Sequence, residues 1–101
     1  MIGKNDYNLM DFSSTIVDEY IRARMKFPKM ASPHEGYAII KEEVDELWEL
    51  IKQNKGKSKE AADEIRQIGA MCLAYQLEVI LGELYNSSEE SKSAQKENNV
   101  Q

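Results

Sequence analysis

This chain has one cysteine, one histidine, two prolines and no long uninterrupted apolar run among its 101 residues. A single cysteine, Cys72, rules out an intrachain disulfide and points to a reducing compartment, the cytoplasm. Its neighbours Ala70, Met71, Leu73 and Ala74 are small or apolar, so a buried thiol acting as a small hydrophobe is expected. The most apolar stretch, Ile68 to Gly82, carries Gln76 and Glu78 and falls short of the roughly 20 residues a bilayer needs. The opening residues, MIGKNDYNLMDF, lack the basic stretch and apolar run of a signal peptide. A basic surplus is also missing. The formal net charge of -5 argues against a nucleic-acid polymer as partner, and membrane binding is not expected. There is no phosphate-binding glycine loop, dinucleotide fingerprint, Cys/His zinc pattern or supported Ser-His-Asp constellation.

What remains is a charged chain, 31% Asp, Glu, Lys and Arg, with helical periodicity and no strand-like alternation. The expected fold is all-α: an antiparallel bundle of three main helices over residues 1–86, completed by oligomerisation. Residues 87–101 form a polar tail with almost nothing to bury, expected to be disordered. The first helix spans about Tyr7 to Met25, with Leu9, Phe12, Ile16 and Tyr20 inward, and stops before Pro28. Ser32-Pro33-His34-Glu35 has the form of a capping box and starts the second helix. That helix runs to about Asn54, with Gly56 as the stop. Ser58 caps the third helix, which is expected to reach about Tyr85.

On the second helix, Tyr37, Ile40, Val44, Leu47 and Ile51 form the expected core seam, with Trp48 packed at its edge. Gly36, Ile39, Glu43, Glu46 and Leu50 lie along one flank of that seam. Five acids crowd between Glu42 and Glu49 without an intervening base, and each like-charge contact costs roughly 0.2–0.5 kcal/mol. A solvated acidic face is the ordinary explanation for such a run. Here a second pair, Glu60 and Asp63, lies on the next helix, beside the small residues Ala61 and Ala62. At ~1.5 Å rise per residue, Glu46 and Asp63 stand about 15 Å and 10 Å from the turn, about one helical turn apart in height. Oxygen donors converging in this way suit Mg²⁺ or Mn²⁺ and point to metal-assisted chemistry on a phosphate-bearing substrate. Glu43, Glu46, Glu60 and Asp63 are the expected metal ligands. Glu42, Glu43 and Glu46 are the candidates for catalytic acid–base work. Lys59, Arg66 and Gln67 are weaker candidates for substrate contact, since the lysines around the turn and Arg66 also suit solvated or structural roles. His34 is expected at the surface.

The ordered acids in EEVDE…EAAD resemble the Glu-x-x-Glu…Glu-x-x-Asp signature of MazG-like, all-α nucleoside triphosphate pyrophosphohydrolases. The similar stretch, His34 to about Ile80, covers about half the chain. The resemblance implies Mg²⁺-dependent cleavage of a nucleoside or deoxynucleoside triphosphate between its α and β phosphates, giving a monophosphate and pyrophosphate. It also implies a homodimer or homotetramer with sites framed by more than one chain. Many relatives carry aliphatic or nucleotide-contacting residues where this chain has Glu64, Arg66 and Gln67. Phosphoribosyl-ATP pyrophosphohydrolases share the architecture with a less similar acidic arrangement. The competing expectations are a non-catalytic helical adaptor and a nucleotide binder without turnover.

Overall fold

The computed structural model describes residues 4–82, with side chains from Asn8 onward, and every element among them is helical. Helix α1 is Lys4–Lys26, α2 is Pro33–Lys52, and α3 is Lys59–Ala74, continuing directly as a π-helical segment, Tyr75–Ile80. The end of the third helix near Tyr85, the 86/87 boundary and the polar tail lie outside the described residues. No helix among those described is long and apolar enough to cross a membrane.

Local chemistry sets the boundaries. Ser32 Oγ accepts the Glu35 amide at 3.1 Å, and the Glu35 carboxylate accepts the Ala31 amide at 2.7 Å. The return bond of this capping box thus reaches one residue further back than the usual pattern. Ser58 Oγ accepts the Ala61 amide at 3.1 Å and caps α3 as expected. The stop of α2 differs from expectation. Asn54, not Gly56, takes the left-handed conformation, at φ 63°. The Lys55 amide donates to Leu50 O at 2.8 Å and the Asn54 amide to Ile51 O at 3.0 Å, closing a Schellman motif. Gly56 serves a different purpose: a Cβ there would stand 3.2 Å from Ile51 Cγ1.

Helix α3 is the centre of the molecule. Both α1 and α2 pack on it, and the α1 and α2 backbones stay more than 8 Å apart, Cα to Cα. The close contacts use small residues: Ala61, Ala70 and Ala74 are buried, and Gly69 meets the Ile16 side chain. At Gly36 a Cβ would lie 2.5 Å from the Tyr75 ring, so only glycine lets α2 approach the π-helical segment. This approach rotates α2 away from the expected seam. Gly36 is buried and Ile39, Ile40, Glu43, Leu47 and Leu50 are half-buried, while Tyr37, Val44, Trp48 and Ile51 are exposed. Trp48 is therefore a surface residue, with Lys52 Nζ 5.9 Å from its ring centre.

Cys72 is also exposed, contrary to expectation. It lies two positions beyond buried Ala70, about 200° around the helix, away from both packed neighbours. Leu9 and Phe12, expected to face inward, are exposed as well, whereas Ile16 and Tyr20 are half-buried.

The π-helical segment delivers Glu78 into the α1–α2 connector. Its carboxylate is only 3% exposed and makes a bidentate pair with Arg24, at 2.6 Å from both Nε and Nη2. Tyr20 OH donates to it at 2.7 Å and the Met30 amide at 2.9 Å. Arg24 Nη1 also donates to Phe27 O and Pro28 O, fixing the chain as it leaves α1. Burial alone would raise the Glu78 carboxyl, but the Met30, Tyr20 and Arg24 donors outweigh it and hold the carboxyl below its ordinary value.

Candidate metal centre and adjoining cleft

The rotation that buries Gly36 turns Glu43 toward α3. Carboxylate oxygens of Glu43, Glu46 and Glu64 all lie within 4.8 Å of one another. Glu43 Oε2 and Glu64 Oε1 are buried without a hydrogen-bond donor. When both groups are ionised, acceptor faces acceptor, and a shared proton or a cation is needed between them. The protonation behaviour agrees. The hydrogen-bonded Glu64 carboxyl raises Glu46, with burial adding to it. Glu64 is raised by burial first and then by Glu43. An oxygen-only donor set with orphaned buried atoms fits a hard divalent cation, with water completing the shell.

The expected pair on α3 is placed differently. Asp63 is half-buried and paired with Arg66, and exposed Glu60 stands 3.9 Å from Lys55 Nζ. Glu64 joins the α2 acids instead. Glu64 meets the α2 acids, and Gln67 and Met71 line the cleft beside α2, so the strip shares only Gln67 with the expected Glu60, Asp63, Gln67 and Ala70. Ala70 is packed inside. The signal for Glu64 was its i,i+3 relation to Gln67, but nothing in the sequence fixes the rotation that makes it inward.

Of the other candidates, Gln67 lines a cleft described below, Arg66 is engaged by Asp63, and Lys59 is exposed at the start of α3. His34 is exposed, as expected. Glu42 is exposed and lines two hollows. One is a shallow depression of about 400 Å³ along α2 beside Tyr37 and Glu46. The other is a more enclosed cleft of about 530 Å³ between α1 and α2, above Gln67 and Met71. The enclosed cleft includes Glu43 and so adjoins the acidic trio.

Comparison with protein-family models, with curated proteins and with solved structures finds no match to this chain.

Proposed function

We propose that this protein is a Mg²⁺-dependent nucleoside triphosphate pyrophosphohydrolase of the MazG-like kind, acting in the cytoplasm on the nucleotide pool. The observation that carries the reading is the convergence of Glu43, Glu46 and Glu64 from two helices, with two buried oxygens lacking donors. These three acids hold the metal; Mg²⁺ suits them, and Mn²⁺ has the same preference for oxygen. Bound there, the ion supplies positive charge to the phosphates and acidifies water. Asp63 precedes Glu64 on α3 and is paired with Arg66, while exposed Glu60 stands 3.9 Å from Lys55 Nζ. Phosphate drawing Arg66 toward itself would free Asp63 to join the set.

Glu42 is the carboxylate left over beside the trio, exposed and facing the cleft. It accepts the proton of the attacking water. The water oxygen bonds to the α-phosphorus, the bond to the bridging oxygen breaks, and pyrophosphate leaves. Assembly as a homodimer or homotetramer fits the exposed apolar side chains of α1, α2 and α3.

The test is pyrophosphate release across standard and modified triphosphates at saturating Mg²⁺. Glu46→Gln and Glu64→Gln are each expected to lower turnover by about a hundredfold or more, with helicity by circular dichroism unchanged. Undiminished turnover in both variants would remove the trio from the mechanism. Absence of release from every triphosphate by the wild type would leave the adaptor or non-hydrolysing binder.

A further inference from the structure

The third helix changes register where it meets both of its neighbours. Tyr75–Ile80 follows Ala74 without a break, and the Leu81 amide donates to Gln76 O, an i→i+5 bond. One π turn inside an α-helix amounts to one inserted residue. The segment YQLEVI holds no proline or glycine that would call for it. Tertiary contacts therefore hold the turn. Before it, Ala70 and Ala74 are buried, and at its start the Tyr75 ring lies against Gly36. Further along, Glu78 takes Arg24, the Tyr20 hydroxyl and the Met30 amide. Returning the segment to i→i+4 bonds would swing one set of contacts against the other by up to about 100°, one residue step. Both sets exist together only in the π register.

The seat of α2 is built from the same parts. A Cβ on Gly36 would stand 2.5 Å from the Tyr75 ring and 3.2 Å from Met30 Sδ. Met30 is buried, and its amide donates to Glu78 at 2.9 Å. Glu78 thus governs both surfaces that receive Gly36: Tyr75 through the π turn, and Met30 through its amide. Glu43 follows Gly36 by seven residues on α2, within about 20° of the same direction. Whatever fixes the rotation of Gly36 therefore fixes that of Glu43, and with it the approach of Glu43 to Glu64.

We propose that Glu78 is a positioning residue for the acidic centre: its hold on Arg24 and Met30 keeps α2 in the rotation that brings Glu43 to Glu64. With this latch released, α2 stays paired with α3 but turns, and the three carboxylates separate. Only the ion rests on the metal-centre reading above; the seat of α2 stands on its own contacts.

The experiment uses the full chain and Glu78→Gln, which keeps the size of the side chain and removes its charge. Without metal, NMR of the wild type is expected to show a hydrogen-bond coupling from the Leu81 amide to the Gln76 carbonyl. It should also show a nuclear Overhauser effect from Gly36 Hα to the Tyr75 ring. Both signals are expected to disappear in Glu78→Gln. Mn²⁺ affinity, read by water-proton relaxation, is expected to fall about tenfold, an ordinary size for coupling between sites. Gly36→Ala, which crowds the seat and leaves Glu78 in place, is expected to give the same loss, and it decides the matter if Glu78→Gln does not fold. Ile16→Val loosens α1 at Gly69 without touching the latch, and its Mn²⁺ affinity should match the wild type. Retention of both NMR signals in Glu78→Gln would overturn the proposal. So would unchanged Mn²⁺ affinity in Glu78→Gln and Gly36→Ala, or an equal loss in Ile16→Val. A wild type that binds no Mn²⁺ would instead sink the metal-centre reading, and loss of both NMR signals in Glu78→Gln would still uphold the latch.

Discussion

Glu78 is a charged side chain with almost no access to water, and its oxygens take donors from α1 and from the connector. Replacing it with alanine strands the Arg24 guanidinium, the Tyr20 hydroxyl and the Met30 amide. A loss of about 3 kcal/mol is expected by chemical denaturation, the low end for a broken buried pair because Arg24 keeps an edge toward water. The same residue gives a pH signature. Its folded carboxyl lies below the ordinary value of 4.5, so its contribution is complete above that pH and is lost as pH falls through the depressed folded value. Subtracting the stability of Glu78→Gln from that of the wild type isolates this term. The difference is expected to be constant near neutrality and to shrink only on acidification below about 4.5. A difference that grows on acidification would contradict the hydrogen-bonding pattern. Nothing in the sequence marks Glu78, because an acid within an apolar helix reads as an exposed interruption until the fold supplies Arg24.

Element boundaries were legible where side-chain chemistry is local. Ser32 with Pro33 and Glu35, and Ser58 before α3, each satisfy amides within three or four residues. The stop of α2 was less so, since Asn and Gly compete for the left-handed position and Gly56 has the stronger intrinsic preference. The structure uses Asn54 and keeps Gly56 for the Ile51 contact. Asn54→Ala is therefore expected to cost about 1 kcal/mol, from forcing an ordinary residue into a left-handed conformation, measurable by urea unfolding. Gly56→Ala should act through crowding of Ile51 instead. Helix rotation was not legible. The apolar arc of α2 is wide enough for two choices, and the contact of Gly36 with Tyr75 decides between them. That contact depends on the π-helical segment, for which hydrophobic periodicity has no signature. The acid pair on α2 was therefore readable as a site, whereas its partner Glu64 was not.

At the scale of the whole molecule, the described core contains no large side chain that is fully buried. Small domains with so little interior are marginal on their own. The side chains left outside form a stripe on α2, with Tyr37 65%, Val44 45%, Trp48 54% and Ile51 45% exposed. A second copy covering that stripe would bury apolar residues that the described chain leaves exposed. Sedimentation velocity is expected to show a dimer or tetramer, and a double Val44→Glu, Trp48→Glu variant to sediment as a smaller species with a lower melting temperature. A wild-type monomer at micromolar concentration would refute self-association through this face.

The two outer helices lean on one common support and their backbones stay apart, which makes the architecture separable. Detaching α1 need not disturb the α2–α3 hairpin, and its main anchors are Ile16 at Gly69 and the Arg24–Glu78 pair. Native-state amide exchange should then resolve two tiers, with α1 amides released at lower free energy than those in the middle of α3. Glu78→Ala should widen the gap. Each transient departure of α1 would also remove one wall of the cleft, so ligand entry and the slowest-guarded hydrogens would report on different motions of the same small bundle.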